Sequence, residues 1–215
     1  MQYYKISFNL ASAISFIDLP VFDALLAYCY MKEKDGSVQQ RLSIPKEELE
    51  SFDDLPLIRH SDGYFLASWM QFDYNKAAEF TGSWKKRWAN QYDFLADFGK
   101  KVRKVRINAG EYKSYDMPLV LHSIKTVWFY FASNDIVRVE YLLRHLRGIG
   151  KKTSQGKGEI SGFHIESVNY NPFDKVIRPI PAKESGLKES ISVRMMAWRP
   201  PYWLSENQSF CLSPE

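Results

Sequence analysis

The sequence has few of the residues that build metal or redox sites. Its 215 residues include only two cysteines, Cys29 and Cys211, and four histidines. Two cysteines are too few for a disulfide framework or a cysteine-rich zinc site, and neither a C-x-x-C nor an H-x-x-x-H spacing occurs. We therefore expect no metal ion and no cofactor.

Long apolar runs are also missing. No run approaches the ~20 residues of a membrane-spanning helix, and the first residues lack the basic and then apolar pattern of a signal peptide. The chain is 45% hydrophobic, which is enough to bury a sizeable core. These features predict a cytoplasmic protein with no membrane partner, folded as a single domain over residues 1–215.

Positive charge is concentrated in two segments. Residues 81–106 carry a net charge of +6 and residues 144–157 a net charge of +5, whereas the whole chain carries only +4. The rest of the chain is therefore acidic, with a net charge of −7. A solvated face is the ordinary explanation of one such cluster. Two clusters on an acidic protein favour a polyanionic partner, above all a nucleic acid.

The second basic segment contains a glycine-rich loop, residues 148–158, with the pattern G-h-G-x5-G-x-G, in which h is hydrophobic. Glycine tolerates positive φ and close backbone approach, so we expect positive φ at Gly148 and Gly150. A Walker loop would need Ser or Thr directly after Lys157, and a dinucleotide fingerprint would need glycine in place of Thr153. The loop also follows a helix C-terminus, which repels anions. Its lysines therefore have to attract any phosphate.

Regular elements are predicted on both sides of this loop. The apolar spacing from 136 to 146 predicts a helix that Asn134 caps and Gly148 stops. Residues 158–168 alternate between polar and apolar side chains, as a half-buried strand does. Residues 3–10 alternate in the same way and predict the first strand of the chain.

The order of helix, glycine loop and strand resembles the end of the ferredoxin-like domain of the RAMP proteins, the RNA-binding subunits of CRISPR-Cas complexes. Two further stretches, Asp-Ala-Leu-Leu-Ala-Tyr at 23–28 and Arg-Pro-Pro-Tyr-Trp at 199–203, and the chain length are similar to one branch of them. This branch is the type IV CRISPR effector subunit of the five-prime-handle-binding RAMP family. The resemblance implies an α+β, ferredoxin-like domain with the order strand–helix–strand–strand–helix–strand.

The resemblance also implies a basic projection, the thumb, which we place in an insertion at residues 71–116. The thumb is expected to be partly helical and partly a hairpin, and residues 169–215 are expected to form a C-terminal strand extension. On a helix, Trp84 and Trp88 would share a face and could stack on bases. They could equally anchor the insertion to the core, and the sequence leaves both alternatives open.

The residues predicted to bind RNA share a position in one of the two basic segments. Those of the loop and the helix before it are Arg144, Arg147, Gly148, Gly150, Lys151, Lys152, Gly156 and Lys157. Those of the insertion are Trp84, Lys85, Lys86, Arg87, Trp88, Lys100, Lys101, Arg103, Lys104 and Arg106.

Some RAMP proteins cut the CRISPR transcript by metal-independent attack of a ribose 2′-hydroxyl, which needs a general acid or base near neutrality, usually His. His60 and His122 are the candidates here, and the sequence shows no partner for either of them. The type IV branch that the chain resembles leaves processing to a separate subunit. We therefore expect a protein without catalytic activity.

Together these observations predict a non-catalytic, RNA-binding subunit of a type IV CRISPR effector complex. The resemblance implies that it binds the 5′ handle of the guide RNA (crRNA) and caps the filament of backbone RAMP subunits, in contact with the large subunit. Target DNA near the protospacer-adjacent motif (PAM) is a further implied contact. A metal-independent endoribonuclease that processes the repeat RNA is the alternative, and a stand-alone RNA-binding domain unrelated to CRISPR is another.

Overall fold

The computed structural model describes residues 1–35, 52–88, 108, 113–182, 192–202 and 204–213. Over these residues the chain is an α+β protein with antiparallel sheets, in agreement with the predicted class. Its helices are α1 (Phe22–Asp35) and α2 (Ile136–Leu143). Its strands are β1 (Gln2–Leu10), β2 (Gln71–Phe72), β3 (Ala78–Lys86), β4 (Tyr115–Ser123), β5 (Thr126–Ser133), β6 (Ile160–Val168), β7 (Ile180–Pro181), β8 (Ser192–Ala197) and β9 (Gln208–Ser213).

The central sheet has four strands in the order β2-β5-β1-β6, and every neighbouring pair in it is antiparallel. Side chains alternate along β1, so that Ile6 and Phe8 are fully buried on one face of the sheet. Phe129 and Phe131 of β5 are buried on the same face, where the rings of Phe8 and Phe129 meet edge to face. The predicted strands at 3–10 and 158–168 are confirmed as β1 and β6.

Both helices pack on this buried face of the sheet and close the core. Leu26 of α1 and Leu142 of α2 are fully buried there. Between the helices, Arg138 donates two hydrogen bonds to the carboxylate of Glu33, at 2.8 and 2.6 Å. This bidentate pair ties α2 to α1.

Two details of the predicted second helix are wrong. Its N-cap is Asp135, whose carboxylate accepts from the backbone N–H of Arg138 at 2.9 Å, and not Asn134. The helix ends at Leu143, so Gly148 is not its stop residue. Leu146 is still buried, because the turn after the helix keeps the chain against the core.

Inside the predicted insertion, β3 pairs over its full length with β4, but only the first two residues of β4, Tyr115 and Asp116, fall within the predicted bounds of 71–116. Trp84 lies in β3 and faces Met117 of β4. The helical alternative for the two tryptophans is therefore wrong at Trp84. The first two residues of the predicted 71–116 insertion form β2, and they belong to the central sheet.

The C-terminal region forms a separate three-stranded sheet with the order β7-β9-β8. This sheet lies within the predicted C-terminal strand extension, residues 169–215, and β9 is its last strand in chain order. Residues 61–63 form a turn, with Gly63 at φ +90°. Its flanks are joined by a single bridge between Arg59 and Phe65 and form no regular strands.

A buried polar cluster joins the C-terminal region to α1. Arg178 is 1% exposed and donates to Asp23 at 3.4 Å, and Asp23 is fully buried near the start of α1. The hydroxyl of Tyr202 donates to the other oxygen of Asp23 at 2.6 Å. Arg178 also donates to the backbone carbonyls of Phe65, Ala67, Pro179 and Trp198.

Candidate nucleic-acid interface

The glycine loop is held against the segment that follows β1. The backbone N–H of Lys151 donates to the carbonyl of Ser15 at 2.6 Å, and that of Gly158 donates to the carbonyl of Ala13 at 2.9 Å. Within the loop, the N–H of Ile149 donates to the carbonyl of Gly158 at 2.9 Å. These bonds fix the path of the loop, so its side chains project from a rigid base.

Positive φ occurs at three glycines of the loop, namely Gly150 (+92°), Gly156 (+74°) and Gly158 (+61°). The expectation is therefore confirmed at Gly150 and wrong at Gly148. A Cβ atom at Gly150 would meet the carbonyl oxygen of Ser15, whereas one at Gly156 would have open space. Gly148 is needed for space instead, because a Cβ there would lie 3.1 Å from the carbonyl oxygen of Gly158.

The lysines of the loop point away from this base. Lys151 is exposed, and Lys152 and Lys157 are half-buried. None of the three forms an ion pair with another residue that the structure describes. Lys152 itself has positive φ, at +60°, and its ammonium lies 2.8 Å from the centre of the Trp84 ring. This cation–π contact joins the loop to β3 of the predicted insertion.

The other wall of the site is the face of the β3–β4 sheet that carries Trp84. The ring of Trp84 packs edge to face on Tyr115 of β4, with 4.6 Å between the ring centres. Met117 is directly opposite Trp84 and is 51% exposed. The wall is therefore apolar and aromatic, and part of it is open to solvent.

A groove of about 620 Å³ lies between these two walls, and we call it the loop groove. Lys151 and Lys152 form one side, and Trp84, Met117 and Leu119 form the other. The residues after β1, at 15–17, complete its lining. The two basic segments thus meet at one aromatic groove, where Trp84 and Lys152 are in contact although they are 68 positions apart in the sequence. This combination suits single-stranded nucleic acid.

The remaining predicted residues lie around the groove or outside it. Lys85 is in β3 and pairs with Asp116 at 3.2 Å, and Arg144 lies 6.0 Å from the ring centre of Tyr141. Arg147 is exposed in the turn before the loop. Lys86 and Arg87 are exposed at the end of β3, and Trp88 follows them half-buried. The predicted hairpin cations, Lys100, Lys101, Arg103, Lys104 and Arg106, fall outside the described residues.

Both candidate catalytic histidines have an acidic neighbour, which the sequence had not revealed. The Nδ1 atom of His60 is 2.7 Å from a carboxylate oxygen of Asp62, and its ring stacks on Tyr64. The Nδ1 atom of His122 is 3.7 Å from Glu79, and its ring stacks on Phe16. Among the described residues, no histidine lines the loop groove.

Sequence reasoning missed the contribution of the segment after β1. Phe16 and Ile17 line the loop groove, and Ile17 is 76% exposed. An apolar residue so exposed next to a basic loop has no local sequence signature. The glycines of the loop are an indirect signal of this segment, because a residue without a Cβ is typical of a position where another backbone approaches closely.

Comparison with known proteins shows the family to which the chain belongs. No curated protein matches the chain. The described residues contain no helix long and apolar enough to cross a membrane, and no group of side chains suited to a metal ion. The family model of CRISPR type IV associated protein Csf3 matches residues 2–214. Because this match covers nearly the whole chain, the protein belongs to the Csf3 family of type IV CRISPR-associated proteins.

Proposed function

We propose that this protein is a non-catalytic, RNA-binding subunit of a type IV CRISPR effector complex and that it holds the 5′ handle of the crRNA in the loop groove. The observation that carries the proposal is the contact between Lys152 of the glycine loop and Trp84 of β3. It brings cations and an aromatic ring to one groove. Membership in a type IV CRISPR family supports RNA as the ligand.

The two walls of the groove would have separate roles. Lys151, Lys152 and Lys157 would neutralise phosphates, since cations position a strand without reading its sequence. The ring of Trp84 would stack on an unpaired base once the strand displaces the ammonium of Lys152. Such stacking accepts any base, so sequence preference would have to come from contacts elsewhere.

The strand order also supports a ferredoxin-like RAMP domain. The chain order follows the split β-α-β pattern of such a domain, with the elements β1, α1, β2, β5, α2 and β6. The sheet order β2-β5-β1-β6 is the one that this pattern requires. We propose one such domain over the whole chain, with β3 and β4 as the base of the thumb. As the handle-binding end subunit, it would cap the backbone filament, next to the large subunit and close to the PAM of the target.

The direct test is RNA binding by wild-type protein and by the variant Lys151→Ala/Lys152→Ala/Lys157→Ala. Fluorescence anisotropy with labelled repeat RNA, measured at several salt concentrations, gives the affinity and its salt dependence. Each phosphate contact on a single strand contributes about 0.7 to the slope of log affinity against log salt. We expect the variant to bind more weakly and its slope to fall by about 2.

A charge-matched control removes three lysines that do not line the groove, in the variant Lys32→Ala/Lys125→Ala/Lys175→Ala. The control has the same net charge as the loop variant, so a general electrostatic effect would weaken both equally. We expect the control to keep a slope close to that of the wild type. Equal losses in the two variants, or no loss in the loop variant, would show that the groove does not bind the handle.

The endoribonuclease is the second candidate function, and the pairing of His60 with Asp62 favours it, because a carboxylate can orient a catalytic histidine. We propose that this pair is not catalytic, since it does not line the loop groove. Incubation of repeat RNA with wild-type protein in chelator separates the two functions. Cleavage at one repeat position that His60→Ala or His122→Ala abolishes would establish the endoribonuclease.

A further inference from the structure

A second groove of about 420 Å³ lies next to the loop groove, and we call it the tryptophan groove. Its lining includes Trp69, Trp128, Tyr74 and Arg194. Three elements meet there, since Trp128 is in β5 of the central sheet, Trp69 precedes β2 at its edge, and Arg194 is in β8 of the C-terminal sheet. Its volume is within the range of small-ligand sites.

The chemistry of this groove suits an unpaired base and its phosphate. The indole N–H of Trp128 donates to Gln71 at 3.0 Å, which holds the ring in place. Tyr74 is 69% exposed, and Trp69 and Trp128 are half-buried. Arg194 is exposed and forms no ion pair with another described residue, so its guanidinium is available for a phosphate.

The two grooves share one residue, Ile17, which contributes to the lining of both. Its side chain is 76% exposed, so it forms an apolar ridge between them. Phe16, next to it, lines the loop groove and has its ring centre 6.1 Å from that of Phe72 in the tryptophan groove. A strand that leaves the loop groove across this ridge therefore enters the tryptophan groove.

We infer that the tryptophan groove is a second binding site for the same single-stranded RNA, and that Ile17 separates two neighbouring bases as the strand crosses from one groove to the other. An apolar side chain between two bases unstacks them, and aromatic rings then bind each base separately. This inference rests on the proposed function, because the strand enters from the loop groove.

One residue of the tryptophan groove opposes the binding of phosphate. Asp18 lies beside Ile17 in its lining and is exposed, so its carboxylate would repel an incoming phosphate. Asp18→Asn removes that charge with little change in shape. We therefore expect this variant to bind RNA more tightly than the wild type, which is an uncommon result for a surface substitution.

The test is the dependence of affinity on RNA length. Fluorescence anisotropy would follow a series of labelled oligouridine RNAs that differ by one nucleotide, with wild-type protein and with Ile17→Ser and Arg194→Ala. Both side chains are exposed, so neither change should disturb folding. For the wild type we expect affinity to rise in two steps as the strand first fills the loop groove and then reaches the tryptophan groove. Each step is expected to be about 5- to 150-fold, the range for one stacked base.

Arg194→Ala should keep the first step and lose or shrink the second. Ile17→Ser, whose side chain lines both grooves, should also lose or shrink the second step. Val193→Ser is the control, because Val193 is 53% exposed in the same strand as Arg194 and does not line the groove. It should retain both steps. A second step of wild-type size in both Ile17→Ser and Arg194→Ala would overturn the inference and leave the proposed function intact.

Failure of the wild type to bind any RNA of the series would instead overturn the proposed function. Oligothymidine DNA of the same lengths provides a further arm. A second step with DNA that depends on Arg194, together with none for RNA, would assign the tryptophan groove to a DNA strand and refute the inference. Weaker binding by Asp18→Asn than by the wild type would also contradict it.

Discussion

Replacement of Arg178 by methionine tests whether the buried polar cluster holds the C-terminal region to the core. Burial by itself would lower the pKa of Arg178, but Asp23 and Tyr202 outweigh it and raise this pKa above its usual value. The guanidinium is therefore charged in the folded protein, and it is stabilised by its neighbours. Methionine has a similar length and no charge, so the change removes the interactions and fills most of the space.

The expected loss follows from what Arg178→Met leaves behind. Breaking a buried ion pair costs about 3–5 kcal/mol, because the remaining charge has no partner. The carbonyls that accept from Arg178 also lose a donor, and one unsatisfied carbonyl costs about 1–3 kcal/mol. We expect a loss of at least about 4 kcal/mol. For a chain of this size that corresponds to a fall in Tm of about 8–16 °C.

The loss should also depend on pH. Burial raises the pKa of Asp23, and Arg178 is the strongest influence that opposes this rise. Without Arg178 the pKa of Asp23 should rise further. A group whose pKa is higher in the folded state contributes most to stability at pH values below its unfolded pKa, and this contribution is lost as pH rises through the folded pKa. Arg178→Met should therefore be least damaging near pH 4 and most damaging at neutral pH.

Urea-induced unfolding, followed by circular dichroism at pH 4 and pH 7, measures both effects. The double variant Arg178→Met/Asp23→Asn should regain part of the loss at pH 7, since it buries no unpaired carboxylate. Tyr202→Phe removes the hydrogen bond that the Tyr202 hydroxyl donates to Asp23 and should cost about 1.5–3 kcal/mol. It therefore tests the cluster even if Arg178→Met does not fold. Arg147→Met, at an exposed arginine, is the control. A loss below about 1 kcal/mol for Arg178→Met, against the ~4 expected from its contacts, would refute the reasoning.

Two further predictions concern the glycine loop and the helix pair. Gly150→Ala should destabilise the protein more than Gly156→Ala in thermal melting, because both positions have positive φ but only Gly150 faces a backbone oxygen. Equal losses would show that backbone conformation alone matters. The hydrogen bonds from Arg138 lower the pKa of Glu33, so the stability that this pair contributes is present above the unfolded pKa of 4.5 and is lost as pH falls through the folded value. Glu33→Gln should cost about 0.2–1 kcal/mol at neutral pH and much less in acid, whereas a loss that does not change with pH would exclude the ion pair as its cause.

The sequence predicted those elements in which the local pattern of polar and apolar residues matches the side chains that the fold buries. In β1, the alternation that places Ile6 and Phe8 on one side is the same alternation that buries them. Positive φ at Gly150 was predicted from the glycine itself, which tolerates this conformation. The structure adds a second reason for glycine there, because a Cβ would meet the carbonyl oxygen of Ser15. These features depend on residues close in sequence, or on the absence of a side chain, and both can be recognised without the fold.

The features that were missed or wrong depend on distant partners. Trp84 and Trp88 have helical spacing, but Trp84 is in a strand because β4 supplies Tyr115 and Met117 beside it. Asp23 and Tyr202 are 179 residues apart, and nothing near either of them indicates that they meet. Both nevertheless lie in the two short stretches that suggested the family. Their contact gives a physical reason for the resemblance, because one stretch supplies the acceptor and the other the donor.

The hydrogen bonds of the glycine loop also decide how it can attract RNA. In a nucleotide-binding loop, backbone N–H groups point at the phosphates, but here the N–H groups of Ile149, Lys151 and Gly158 donate within the protein. The 3₁₀ turn at Thr153–Gln155 uses more of them, since Gln155 and Gly156 donate to the carbonyls of Lys152 and Thr153. Much of the phosphate binding must then come from lysine side chains, whose interactions are screened by salt. A loop variant without its lysines should therefore lose most of the salt dependence at this site. The same loop would keep its fold, because its backbone contacts remain.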